Sequence, residues 1–310
     1  MIRVTIAGIG GVGGFFGGKL ANHYEGSKDV EIYFIARGDN EKVIREHGLK
    51  VEGHEGTFIT HPKFVTSQPL QVGKTDFLIC CTKSYDLEES IMQLKPVIGN
   101  DTVILPLLNG VDGYERIKLL VPDANVWQGC VYVVSRLMEP GYVKQSGQRC
   151  SLFFGSTGAK KETKLQTLYR VFVDAGIHTQ VPADIILTIW EKFLFISPLA
   201  TLTTFLKSSI GAILANEESK NLLRLLMDEM YAVAIKNGIG FSGELISKTW
   251  GMITALPFDA TSSMHSDQQK GKQLEVESLT GYVVTLGQKL YSPTPEYQRI
   301  YVALKSRGDI

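Results

Sequence analysis

Two groups of residues in this 310-residue chain have types and spacings that can do chemistry. The first is a glycine run near the N-terminus. Gly8, Gly10 and Gly13 form G-x-G-x-x-G around Gly11 and Val12, after the β-branched run 3–9 and ahead of a stretch that continues as a helix. In that setting Gly8 permits a tight turn, Gly10 lets backbone approach a pyrophosphate, and Gly13 lets helix pack on strand. The helix N-terminus adds unsatisfied N–H groups and the positive end of a dipole. The competing reading is a glycine-rich turn that holds no ligand. The second group centres on Lys192, inside the apolar run 185–196. Its ammonium either snorkels to solvent beside Glu191 or points into a cleft where a substrate oxygen becomes negative. Periodicity alone leans to snorkelling.

The elements around the glycines give them their meaning. A second β-rich run, 30–36, closes a strand–helix–strand unit of βαβ size, with parallel strands and a right-handed crossover. An NAD site usually ends that strand in a carboxylate for the ribose 2′-hydroxyl, whereas here it ends Ala36-Arg37, which suits a 2′-phosphate. The expected cofactor is therefore NADP(H). Asp39 keeps NAD open, although the Arg37-Gly-Asp-Asn40 segment also reads as a plain turn. The apolar runs 76–81 and 102–106, separated by a helical pattern over 85–94, look like strands buried on both faces. The stretch 126–155 reads as further strands, antiparallel at the sheet edge. Beyond Pro182 the segments 184–206, 217–236, 243–255 and 270–289 carry helical periodicity, so an α/β domain of residues 1–182 and a helical domain of residues 183–310 are expected.

Composition narrows the partners. Lys+Arg and Asp+Glu are equal at 32 each, giving zero formal charge, and no basic run marks a nucleic-acid surface. Cys80, Cys81, Cys130 and Cys150 lack C-x-x-C spacing, and no histidine pair stands at metal-ligand spacing, so no metal is expected. The N-terminus enters a strand at once without signal-peptide features, which points to the cytoplasm. The longest apolar stretch, 193–206, contains Pro198 and four hydroxyl residues and reads as too short for a membrane span.

Seven short motifs then carry a resemblance. They are Gly8-x-Gly-x-x-Gly13, Arg37 after the second strand, Cys81-Thr-Lys83-Ser, Leu108-Asn109-Gly110, Trp190-Glu-Lys192, Thr261-Ser-Ser263-Met264 and Gln273-Leu-Glu275. In order and approximate spacing they resemble the ketopantoate reductases over essentially the whole chain. The resemblance implies a Rossmann-like NADP-binding domain followed by an all-helical domain. It also implies NADPH-dependent reduction of 2-dehydropantoate to pantoate on the route to pantothenate and coenzyme A. By position, Lys192 is then the general acid and Glu275 a second catalytic or lysine-orienting carboxylate. Asn109 lies where nicotinamide meets substrate, Ser263 contacts substrate, and Arg37 and Lys83 contact the cofactor.

Taken as residues alone, Glu275 also reads as a solvated helix face, Asn109 as the turn residue of an Asn-Gly pair, and Ser263 as a helix cap. Where that family carries amide side chains this chain has Ile196, Ala200 and Ala260, which implies a more apolar pocket. Ser197, Thr201, Thr203 and Thr204 stand nearby, either as replacement hydroxyls or bonded back to their own helix. Three functions follow: a reductase of 2-dehydropantoate, a reductase of another 2-oxo acid, and a non-catalytic NADP-binding sensor. Holding both Lys192 and Glu275 argues against the last. The expected partner is a small 2-oxo acid, with no nucleic acid and no membrane. The apolar helix over 221–235 suits a homodimer as well as a core.

Overall fold

Strand β1 (Ile2–Ala7), helix α1 (Gly11–His23) and strand β2 (Val30–Ile35) form the expected βαβ unit, with β1 and β2 parallel. The computed structural model describes residues 1–156 and 162–306. Within it the chain divides into two compact units, Met1–Leu108 with Gly113–Ile185, and Asn109–Asp112 with Ile186–Ile310.

The first unit continues through α2 (Gly38–His47), β3 (Leu49–Gly53), β4 (Gly56–Thr60), β5 (Phe64–Thr66), β6 (Phe77–Cys80), α3 (Leu87–Leu94) and β7 (Val103–Pro106). It ends with α4 (Gly113–Leu120), β8 (Asn125–Val126), β9 (Gln128–Glu139), β10 (Tyr142–Gly155), α5 (Glu162–Asp174) and β11 (Thr179–Gln180). Six strands form a parallel sheet in the order β5-β2-β1-β6-β7-β8. Its central strands are buried on both faces, as their unbroken apolar runs require. In β6, Phe77 and Ile79 face one core while Leu78 and Cys80 face another, the latter built with Leu87, Ile91 and Ile117 of α3 and α4.

Of the run 126–155, Val126 ends the parallel edge strand β8, whereas residues 128–155 are antiparallel as expected but do not lie in that sheet. β9 and β10 make a long hairpin in a second sheet, where β10 also pairs in parallel with β3 and β11, and β3 pairs with β4. Helix α1 lies between the two sheets, and its glycines are the physical reason it fits. A Cβ on Gly17 would stand 3.1 Å from Phe34 and 3.2 Å from Ile6 on one side. On the other side, a Cβ on Gly14 would stand 2.5 Å from Val143, and one on Gly18 2.5 Å from Val51. Beneath them Trp127, fully buried, stacks on Phe154 with ring centroids 5.9 Å apart.

The second unit is helical: α6 (Ile185–Leu206), α7 (Ile210–Ala215), α8 (Glu217–Lys236), α9 (Leu245–Thr254), α10 (Ser263–Gln269), α11 (Tyr282–Lys289) and α12 (Pro295–Ser306). The segment expected as one helix over 270–289 is helical only from Val276 onward. It opens with a π-turn, Glu277–Gly281, that runs into α11. The apolar stretch that reads as too short for a membrane is part of a longer element, since α6 has 22 residues and an apolar window of mean hydropathy 1.6. Its most apolar window is 67% buried inside the protein, so the helix serves as a core element.

Candidate active site

The four glycine positions of the loop answer to different constraints. Gly8 has φ +89°, a conformation that side chains rarely adopt, and a Cβ there would lie 2.8 Å from the Thr82 nitrogen. A Cβ on Gly13 would fall on the Gly8 carbonyl oxygen and 2.9 Å from Cys81, and one on Gly11 would fall on the Ser135 carbonyl. Gly10 is different: its φ is −92°, open to any residue, and a Cβ there would meet nothing within 4 Å. Among the described residues nothing requires a glycine at this point, so the position leaves open space over the start of α1.

The chemistry around that space suits an anion. The N-terminus of α1 carries no side-chain cap and no acidic residue in its first turn, leaving N–H groups and the positive dipole end for a ligand. The hydroxyls of Thr82 and Ser135, on the residues that crowd Gly8 and Gly11, are buried with no hydrogen-bond partner among the described residues. These features fit a pyrophosphate. Asn40, read only as part of a turn, braces the loop: its Nδ2 donates to the Ile9 carbonyl at 2.7 Å and its Oδ1 accepts from the Gly141 N–H at 2.7 Å. No signal within the 37–40 segment separates this clamp from an ordinary turn, because both partners are distant in sequence.

Arg37 follows β2 directly and is exposed, its Nη2 donating to Ser90 Oγ at 3.3 Å and to Gln93 Oε1 at 3.2 Å. Both partners are neutral, so they orient the guanidinium without offsetting its charge. Asp39, the residue that kept NAD open, is also exposed and pairs with Lys42 at 3.2 Å. Lys83 is half-buried in extended backbone just before the turn Ser84–Asp86.

In the second unit Lys192 lies on α6 and is only 7% exposed, so its side chain does not snorkel to solvent. Its Nζ donates to Asn109 Oδ1 at 3.1 Å, joining residues 83 positions apart. An ammonium only donates, which fixes the amide's orientation and makes Asn109 more than a turn residue. Its neighbour Gly110 has φ +96°, and a Cβ there would stand 2.9 Å from Asp112 Oδ1 and 3.3 Å from Ser278 in the π-turn. Ser278 Oγ in turn donates to Asp112 Oδ2 at 3.5 Å. The segment 109–112 is thereby seated on the second unit.

Glu275 is 4% exposed and precedes the helical segment, so it is not on a solvated helix face. Lys192 and Glu275 are thus both buried in one unit, residue types that are almost never fully buried without partners. Ser263 is exposed at the first position of α10, and the cap is its neighbour Ser262, whose Oγ accepts from the His265 N–H at 3.0 Å. His265 itself is held below the usual histidine range, first by burial and then by the positive charge of Lys207.

The hydroxyls of α6 are engaged in the packing of this unit. Ser197 Oγ donates to the Leu279 carbonyl at 2.6 Å and, its one hydrogen so used, accepts from the Tyr297 hydroxyl at 2.6 Å. Burial pushes the Tyr297 phenol up, so it stays protonated. Thr201 bonds Thr280 at 2.8 Å, and Thr203 bonds back to the Leu199 carbonyl at 2.7 Å and across to Ser262 at 2.8 Å. Ala200 is buried on the same helix.

Comparison with known proteins bears on what these two clusters serve. Residues 4–158 match the family of ketopantoate reductase PanE/ApbA, and residues 184–308 match that family's C-terminal domain. The chain belongs to the ketopantoate reductase family. It is 25% identical over 304 residues to the uncharacterized oxidoreductase YkpB of Bacillus subtilis, covering 98% of each chain. It is 26% identical over 317 residues to 2-dehydropantoate 2-reductase of Aquifex aeolicus, covering 99% of this chain and 97% of that one. Among solved structures, 2-dehydropantoate 2-reductase of Porphyromonas gingivalis superposes with a TM-score of 0.85 at 32% identity, covering 98% of this chain and 99% of that one. A D-mandelate dehydrogenase solved with NADH and anilino(oxo)acetate superposes with a TM-score of 0.87 at 22% identity, covering 99% of both chains, a likeness of fold. Membership makes this ketopantoate reductase-family chain a nicotinamide-dependent oxidoreductase with a Rossmann-like α/β unit and a helical unit.

Proposed function

We propose that the protein reduces the ketone of a 2-oxo acid to a 2-hydroxy acid with NADPH, 2-dehydropantoate being the substrate that its relatives' names point to. A cytoplasmic location goes with that reading. The observation that carries it is Lys192, a buried ammonium hydrogen-bonded to Asn109 in a chain that also holds a dinucleotide loop.

Residues 8–13, with Arg37 and Lys83, hold the nucleotide in this reading, and the helical unit supplies the proton donor. When bound, the dihydronicotinamide supplies a hydride to the ketone carbon. Lys192 steadies the negative charge that grows on the ketone oxygen and gives it a proton, so that C=O becomes CH–OH and the lysine is left neutral until solvent reprotonates it. Asn109 holds the ammonium in place by accepting one of its hydrogens. Glu275 offsets the cost of burying that cation. Ser263 contacts the substrate. Arg37 sets the preference for the 2′-phosphate, supported by its neutral partners and by the engagement of Asp39 with Lys42. NADH use is the second cofactor reading, because a structural neighbour is described with NADH.

The test is NADPH oxidation by the purified protein with 2-dehydropantoate and other 2-oxo acids, with NADH as control. Turnover of a 2-oxo acid with NADPH is expected. Tight NADPH binding with no turnover of any 2-oxo acid would replace the reductase with a nucleotide sensor.

A further inference from the structure

We infer that the substrate's side chain, the part beyond the 2-oxo acid group, is received by an apolar wall of α6, so that an apolar group on that side chain is preferred over a hydroxyl. The inference rests on the 2-oxo acid reading of the Lys192 site and names the chemistry of one part of it.

Helical geometry sets which residues share a face with Lys192. Positions three and four residues on, Phe195 and Ile196, lie one turn away beside it, and both remain partly exposed although the helix is otherwise largely buried. The next turn on that face presents Leu199, which is buried. A substrate whose ketone oxygen reaches the Lys192 ammonium therefore lays its neighbouring atoms along aromatic and aliphatic carbon.

The polar side chains of α6 that could alter this are committed elsewhere. Ser197 is held by Leu279 and Tyr297, Thr201 by Thr280, and Thr203 by Leu199 and Ser262. Each of the three is fully buried. Thr188, one turn before the lysine, is engaged as well. Thr204 has a buried hydroxyl without a partner, but it lies twelve residues from Lys192, about 18 Å along the axis at 1.5 Å per residue. Taking a hydroxyl from any of the committed groups would break a buried hydrogen bond.

An apolar pocket does not gain from a substrate hydroxyl and rejects one only moderately, whereas a site built to bond a hydroxyl discriminates by several powers of ten. The experiment compares kcat/KM for 2-dehydropantoate with that for the analogue whose terminal hydroxyl is replaced by methyl. The methyl analogue is expected to be favoured by about 10-fold or more, within the range for one apolar group in an apolar pocket. Ile196→Asn is expected to move that ratio at least about 10-fold toward the hydroxylated acid. Calorimetric titration of the two product 2-hydroxy acids into the NADP⁺-loaded protein reads the same preference without turnover. The absence of all turnover would then count against the reductase, and binding would still decide this inference. Equal or stronger binding and turnover of the hydroxylated partner would overturn it.

Discussion

The glycine loop of the first unit and the Lys192 cluster of the second encode their chemistry in opposite ways. The loop does so through backbone. Gly8 needs a positive φ, Gly13 needs room beside Gly8 and Cys81, and Gly10 leaves open space over the start of α1. All lie within six consecutive positions, so spacing alone displays them. The lysine cluster works through side chains brought together by tertiary packing. Lys192 meets Asn109 across 83 positions, and Glu275, another 83 residues beyond, is buried in the same unit. Local spacing shows a backbone site, whereas a side-chain site shows only when its fold or its relatives are known.

If the two regions divide the work as proposed, variants should separate binding from turnover. The largest effect is expected from Lys192→Ala, which should lower kcat by at least about 100-fold, the low end for a positioned acid. Fluorescence titration should show NADPH affinity nearly unchanged. Rates like those of the wild type in that variant would remove Lys192 from the chemistry.

Gly10→Ala in the loop and Gly14→Ala just after it in α1 should behave as opposites. The first meets no protein atom, so its melting temperature should stay within a degree or two while NADPH affinity falls about 10-fold or more, from the lost approach to the pyrophosphate. The second puts a methyl 2.5 Å from Val143 and should destabilise the fold by about 1–3 kcal/mol, read by denaturant titration. Equal loss of stability in both would mean that Gly10 is there for packing.

Arg37→Ala should weaken NADPH about 10-fold while leaving NADH nearly unaffected, in line with one charge-assisted contact to the 2′-phosphate. An unchanged preference between the cofactors would make Arg37 a turn residue.

The smallest effect concerns pH. The folded state holds His265 below its ordinary pKa, so folding favours the neutral ring. Its contribution is present above the unfolded pKa and is lost as pH falls through that range toward the folded value. Thermal midpoints measured from about pH 8 down to about pH 5 should decline, and His265→Gln should flatten part of that decline.

What could be read in advance follows the same division. The βαβ unit shows in the glycine spacing between two β-rich runs, the doubly buried strands β6 and β7 and helix α6 show as largely unbroken apolar runs, and α8 and α9 show in the helical spacing of their apolar residues. The hairpin of β9 and β10 was legible as antiparallel strands but not as part of a second sheet, since its partners β3 and β11 are set by α1 packing between the layers. The strands β3 and β4, which mix glycine, charged and hydroxyl residues with apolar ones, and the mostly polar α10 do not stand out. At the site, resemblance alone singled out Glu275, whose charged neighbours suggested an exposed face while the fold buries it. Asn40 reads in sequence only as the end of a turn, because its bonds to Ile9 and Gly141 form only once the chain is folded.

The most direct test of the central claim follows NADPH absorbance with a 2-oxo acid for the wild type and for Lys192→Ala at matched cofactor saturation. The account predicts steady NADPH oxidation by the wild type and at least about 100-fold slower oxidation by a variant that still binds NADPH. Equal rates in the two proteins would contradict it.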